Sequence, residues 1–252
     1  SAVSQVIRSV FGYNMLGSMA GRAASSAVST AARGTIGGSQ LSEKEKQQAV
    51  VAAFQSVSTR FAWNAKQQQW ISKKAAAELM SPFELQLEKG PLVHGYDKRI
   101  LARMLVETAM ADGVLAAAEE EMFSELIGSE YGSVQSIASQ SRLNEHEFAE
   151  VSPGAVRQSM LMLAWTLALS DEEFAAQERT ALLAFSRMLG LGPGQVDAAR
   201  STAQGYILDQ AFEGMMGFGG GSRQALLALA SRLGMSEQEA LIAEARYNRR
   251  RG

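Results

Sequence analysis

An all-α fold is predicted by three features of this sequence. Long stretches are rich in Ala, Leu, Met, Gln and Glu, β-branched stretches are few, and 252 residues include only four prolines. Apolar residues recur at steps of three and four, the period of an amphipathic helix. With 46% hydrophobic and 20% charged residues, the chain is able to bury a sizeable core. We therefore expect a soluble helical bundle.

Composition excludes several functional classes. The net charge of -2 argues against specific nucleic-acid binding, because nucleic-acid-binding domains carry a clear positive excess. The absence of cysteine excludes disulfides, thiolate zinc sites and cysteine nucleophiles. No uncharged stretch approaches the roughly 20 apolar residues that cross a bilayer. The sequence thus predicts a cytoplasmic protein, with association with the inner membrane as the alternative.

The first 40 residues form a small-residue arm. Residues 12 to 38 are mostly Gly, Ala and Ser, and small residues stand four apart at Gly17 and Gly21 and at Ala20 and Ala24. This spacing permits close helix packing, so Gly17 and Gly21 are candidate contacts for self-association, a protein partner or a membrane surface. The alternative is a flexible arm.

A long helix is predicted over residues 42 to 80, within a helical segment that covers 41 to 93. Ser42 and Glu45 form a capping box at its start. Its apolar stripe consists of Val50, Val51, Phe54, Val57 and Phe61. Further helices are expected at 94 to 111, 117 to 128, 154 to 170, 175 to 190, 194 to 204, 206 to 216, 222 to 233 and 237 to 249.

Two segments share one frame at an offset of 59 residues, "TAMADGVLAAAEEE" and "TLALSDEEFAAQE". Asp112 matches Asp171, and Glu119 matches Glu178. An apolar helix precedes each acidic corner and another helix follows it. Together with the later "FSRMLGLGPGQVDAA", this arrangement resembles the TerB-like family of tellurite resistance, which also includes the N-terminal domain of a DnaJ-like co-chaperone.

The resemblance covers about residues 95 to 204 and implies a TerB-like helical core at 94 to 204. A C-terminal helical extension with a basic tail then occupies 205 to 252. The resemblance also implies a non-catalytic interaction or scaffold protein of a bacterial stress-response or envelope-associated system. No nucleophile, base and cofactor loop share one frame, which likewise argues against an enzyme. The sequence departs from the family pattern at Ala116 and Ala175, where family members place a helix-capping Asp or Ser.

The acidic corners suggest a divalent cation as the alternative function. Gly113 stands six residues before Glu119, as in the downstream half of a calcium-binding EF-hand loop, but the upstream carboxylates are missing. A looser calcium-like site for sensing or buffering is predicted if the corners meet, with the ligands Asp112, Glu119, Asp171 and Glu178. The other interpretation needs no cofactor: each Asp accepts turn hydrogen bonds and each Glu favours a helix start.

Two features mark the C-terminal extension. The glycines of residues 214 to 223 precede a helix but lack the Lys-Ser/Thr pair of a phosphate loop, so a hinge is predicted. The final helix ends in a basic cluster that suits its negative pole. Its alternative role is docking to an acidic partner through Arg246, Arg249, Arg250 and Arg251.

Overall fold

The computed structural model describes residues 47, 48, 51, 61–64, 69–72, 74, 78–112, 123, 127, 131–171, 174–217 and 223–251. The described residues fall into two compact units, a larger one from Met80 onward and a smaller one up to Leu79. The small-residue arm with Gly17 and Gly21, the Ser42 capping box and Glu119 lie outside the described residues.

The smaller unit contains an antiparallel β-hairpin. Strand β1 is Phe61–Asn64 and β2 is Gln69–Ser72, with Trp63 opposite Trp70 in the register. The prediction of one continuous helix over 42 to 80 was therefore wrong. Aromatic residues favour a pleated strand, and cross-strand pairing links positions that a helical period does not connect.

Helices provide nearly all secondary structure of the larger unit's described residues. A 3₁₀ turn, Met110–Asp112, follows the second of these helices. The helices are α1 Pro82–Lys89, α2 Gly95–Ala109, α3 Val134–Ala138, α4 Glu145–Ala149, α5 Ala155–Ser170, α6 Ala176–Met188, α7 Pro193–Gly217, α8 Arg223–Arg232 and α9 Glu237–Arg251. The predicted all-α class is confirmed. Among the described residues, no helix combines the length and the apolar character needed to cross a membrane.

Helix α5 is the centre of the larger unit. Eleven consecutive residues, 159 to 169, are buried in it, and α1, α2, α6 and α7 pack around it. Its segment "MLMLAWTLAL" is apolar on every side, as expected for a helix surrounded by protein. Trp165 is buried and lies against Phe174, with ring centroids 5.7 Å apart. The sequence of α5 thus determines that the other helices form a shell around it.

Helix α7 is longer than predicted. The expected pair of helices, 194 to 204 and 206 to 216, is a single helix of 25 residues, Pro193–Gly217. Gly205 does not break it. One glycine costs a helix only about 1 kcal/mol relative to alanine, and burial of Ala203, Leu208 and Phe212 offsets that cost. This continuity matters because α7 forms one wall of the groove described next.

Candidate binding groove

A groove of about 290 Å³ lies between α7 and α9, beside the start of α1. Its apolar lining includes Phe83, Met235, Ile242 and Ala243. Its polar and charged lining consists of Ser81, Ser201, Thr202, Gln204, Tyr206, Asp209, Glu239, Arg246 and Arg250. Gly205 also lines it, and a Cβ added there would meet nothing within 4 Å. The absent side chain therefore leaves open space where Gly205 lines the groove.

Aromatic packing fixes the walls of the groove. The Phe83 ring of α1 stacks on Tyr206 of α7, with centroids 4.1 Å apart and planes inclined by 21°. Further along, Phe212 of α7 stacks on Tyr247 of α9 at 5.1 Å and 25°. All four rings are buried. Aromatic pairs in this geometry add to the energy of area burial, so the walls are preformed.

Asp209 and Arg250 form a largely buried ion pair across the groove. The Arg250 Nη2 donates to Asp209 Oδ2 at 2.5 Å, and the side chains are 15% and 13% exposed. Burial raises the pKa of Asp209, which the positive charge and hydrogen bond of Arg250 partly oppose. Arg250, a predicted partner-binding residue, connects α9 to α7 through this ion pair. A sequence pattern could not show this pairing, because 41 positions separate the two residues.

Other polar side chains of the groove are also engaged. Glu239 Oε2 accepts from the Ser236 N–H and hydroxyl, both at 2.7 Å, and these bonds lower the pKa of Glu239. Gln204 donates its amide to the Leu233 carbonyl at 2.6 Å. Burial raises the pKa of the Tyr206 phenol, and nearby carboxylates raise it further, so this phenol stays protonated. These groups shape the groove.

The other predicted basic residues differ in position. Arg246 is exposed and lines the groove, and within the described part of the chain it has no hydrogen-bond or ion-pair partner. Arg249 is exposed but does not line the groove. The side chain of Arg251 lies outside the description. Of the predicted basic residues whose side chains are described, Arg246 thus lines the groove without a described partner.

The backbone brings the two acidic corners close together. The 3₁₀ turn that ends at Asp112 packs against α6, which carries Glu178, and Asp171 and Glu178 line one small crevice together with Thr108. Glu119 and the side chain of Asp112 are not among the parts of the chain that the structure describes. Where side chains are described, no three His, Cys, Asp or Glu residues are grouped closely enough to bind a metal. The four-carboxylate site stays a prediction.

Glu178 has a structural contact at the start of α6. Its Oε2 accepts from the Ala175 N–H at 2.8 Å, and the side chain is buried. Ala175 has no side-chain oxygen with which to reciprocate, so only half of a capping box forms. This outcome agrees with the departure from the family pattern noted at Ala175.

A second polar cluster, absent from the sequence predictions, joins α2 to the segment around α4. Arg103 is buried, pairs with Glu147 and donates to the Ser141 carbonyl at 2.6 Å. Glu107, one turn later, accepts from the Leu143 N–H at 2.8 Å. In the sequence, only the spacing of Arg103 and Glu107, four residues apart, could have indicated this cluster. Oppositely charged pairs at that spacing are also common on exposed helix faces, so the spacing does not predict burial.

Replacing Glu107 with Gln is expected to remove a pH-dependent loss of stability. Burial raises the pKa of Glu107 more than the Leu143 bond and the charges of Arg103 and Arg142 lower it. Such a carboxyl contributes its full stability below the unfolded pKa and loses it as pH rises through the higher folded pKa. Gln retains the acceptor and carries no charge. In urea unfolding, Glu107→Gln should match the wild type near pH 4 and exceed it near pH 7. Exposed Glu88→Gln is the control; equal differences at both pH values would contradict the prediction.

Comparison with known proteins gave no match to a family model, a curated protein or a solved structure.

Proposed function

We propose that this protein is a non-catalytic interaction module and that the groove between α7 and α9 is its recognition surface. The observation that carries the proposal is the juxtaposition of an exposed apolar residue, Ile242, with the exposed Arg246 on preformed walls. An apolar contact beside a free guanidinium suits protein recognition, in which arginine and buried apolar anchors dominate the binding energy.

The engagement of the other polar groups supports recognition over catalysis. Asp209 is paired with Arg250, and Glu239 caps its own helix. A general base needs a lone pair within reach of a substrate proton, and an anion held in a structural contact is less able to provide it. The groove therefore offers complementarity of shape and charge.

The cellular setting of the proposal rests on the TerB-like resemblance of residues 95 to 204. That resemblance favours a scaffold in a bacterial stress-response or envelope-associated system, which would be cytoplasmic or associated with the inner membrane. In this setting the partner is a protein or a second copy of the chain, and the groove is where the two meet.

Filling the groove should abolish partner capture. The Gly205→Leu side chain would fill space at the wall of the groove, whereas Gly214→Leu makes the same change nine positions later in α7, on its opposite face. A Cβ added at either position meets nothing within 4 Å, and circular dichroism checks that both variants fold. Quantitative mass spectrometry after crosslinking in cells should show partners that the Gly214→Leu variant retains and the Gly205→Leu variant loses. If the wild type, Gly205→Leu and Gly214→Leu capture identical sets of partners, the groove is not the recognition surface.

Divalent-cation binding is the second candidate function. It is favoured by the packing of the 3₁₀ turn that ends at Asp112 against α6, beside the crevice that Asp171 lines. Calcium at ten times its dissociation constant is expected to raise the melting temperature by about 3 °C, and Asp112→Asn with Asp171→Asn should remove the shift. Glu178 is left unchanged because its loss would weaken the start of α6 without any metal. No shift and no calorimetric heat at millimolar calcium would exclude this candidate.

A further inference from the structure

We propose that the groove binds a peptide segment of a partner protein in which an acidic side chain stands next to an apolar one, and that Arg246 selects the acid. This inference rests on the proposed function, because it names the occupant of the same groove. It is carried by the balance of charges in the lining and by the spacing of two residues on α9.

One guanidinium of the lining, that of Arg246, has no described partner. Among the charged residues that line the groove, Asp209 neutralises Arg250 at 2.5 Å. Glu239 keeps its negative charge, but its Oε2 already accepts two hydrogen bonds from Ser236 at the helix start. Arg246 is exposed, and no described residue pairs with it. A guanidinium binds a carboxylate through two parallel hydrogen bonds, so the complement of this groove is an acidic side chain.

The apolar half of the ligand follows from Ile242. This residue precedes Arg246 by one helical turn and therefore lies on the same face of α9. It is 43% exposed, and the partly buried Met235 and Ala243 also line the groove. An apolar side chain adjacent to the acid would cover Ile242 while the carboxylate reaches Arg246. Both contacts are then made by neighbouring side chains of one segment.

The form of the groove favours a peptide over a small molecule. The groove lies open between helices, whereas sites for small molecules are clefts or cavities that bury most of the ligand's surface. Helix surfaces on both sides and the missing side chain of Gly205 leave it open. Protein grooves of this kind take side-chain anchors from a peptide whose backbone remains outside.

Selection from a phage-displayed heptapeptide library tests the inference. The wild-type chain is the target, and Gly205→Leu removes peptides that bind elsewhere. Enriched peptides are synthesised with fluorescein and titrated by anisotropy. We expect an Asp or Glu beside an apolar residue. Arg246→Ala should weaken binding about ten- to a hundredfold, the range for a hydrogen bond to a charged group, and Arg246→Lys should weaken it less. Arg249→Ala, an exposed arginine outside the groove, should change it less than about twofold.

The contrary outcomes separate the two proposals. This inference would be overturned if the selected peptides depend on the groove but contain no acidic residue. It would also be overturned if they contain an acidic residue but bind Arg246→Ala as well as the wild type. Either outcome would leave the groove as the recognition surface. Peptides that bind Gly205→Leu as well as the wild type, or no enrichment at all, would overturn both proposals. Octanoate, which joins a carboxylate to an apolar chain, serves as a non-peptide probe. If it binds the groove and no peptide is selected, the ligand is a free acid and the peptide inference is overturned.

Discussion

Replacing Gly90 with Ala is expected to destabilise the larger unit by about 3 kcal/mol, although the change adds only one methyl group. Gly90 ends α1 and is buried, and a Cβ built there would lie 2.3 Å from the Ala155 carbonyl carbon and oxygen and 2.7 Å from the Val156 nitrogen. These neighbours are backbone atoms of the first turn of α5, so they cannot rotate away as a side chain would. The helices must separate, which disturbs dense packing.

The contact between α1 and α5 that this change would disturb is also hydrogen-bonded. Gln86 donates to the Ala155 carbonyl at 3.0 Å and to the Ser159 hydroxyl at 3.1 Å, and Ser159 in turn donates to the Gln86 carbonyl at 3.1 Å. Displacing α1 weakens all three bonds, and the partners are partly buried.

Thermal melting and urea unfolding measure the effect of Gly90→Ala. A fall in melting temperature of about 6 to 12 °C corresponds to the expected loss for a unit of this size. Gly205→Ala is the matched control, because it makes the same substitution inside a helix where the added methyl group has room. It should stabilise the protein by about 0.5 to 1 kcal/mol. Equal effects of the two substitutions would contradict the close approach at Gly90.

Replacing Arg157 with Met is expected to cost about 2 to 4 kcal/mol. The guanidinium lies in the first turn of α5 and donates to carbonyls at the ends of two other helices. Its Nη1 reaches the Leu189 carbonyl of α6 at 3.0 Å. Its Nη2 reaches the carbonyls of Phe148 at 3.4 Å, Ala149 at 3.3 Å and Val151 at 3.1 Å. Methionine would keep the aliphatic packing and leave these partly buried acceptors without their donor.

The positive charge of Arg157 also stabilises the protein, because it lies near the carbonyl ends of two helices. The carbonyls that it contacts lie in the last turn of α4 or just after α4 and α6, where the partial charge of a helix end is negative, so a cation is favoured there. Arg157→Lys should lose less than Arg157→Met, because an ammonium retains the charge but does not span both helix ends.

Urea unfolding with a matched arginine provides the measurement. Arg187 is exposed on α6, and its Nε donates to the Leu183 carbonyl at 3.3 Å. Arg187→Met should change the free energy of unfolding by less than about 0.5 kcal/mol. An Arg157→Met variant as stable as Arg187→Met would show that the guanidinium is dispensable for connecting the helix ends.

The candidate groove was only partly predictable from sequence. The basic cluster of the final helix identified Arg246, which the groove presents, and also Arg250, which is paired with Asp209. Ile242 was missed, although it precedes Arg246 by one turn. A single isoleucine at that spacing is equally typical of a buried face, and only the packing of α9 on α7 leaves it 43% exposed.

The sequence by itself determined the helical class and the approximate bounds of α2, α5, α6, α8 and α9. These features depend on interactions within a few residues: helical propensity, apolar periodicity and end signals such as Glu178 at the start of α6. The continuous apolar run of α5 also determined which helix would be central.

Only the tertiary structure decided the hairpin, the continuity of α7 and the chemistry of the groove. Strand pairing joins Phe61 to Ser72, Arg250 meets Asp209 across 41 positions, and Arg157 reaches Leu189 across 32. Such contacts require chain segments to meet in space, and their energy depends on burial and geometry at the meeting point. Local propensity contains neither quantity, so the sequence alone could not show that Arg250 is paired while Arg246 has no partner among the described residues.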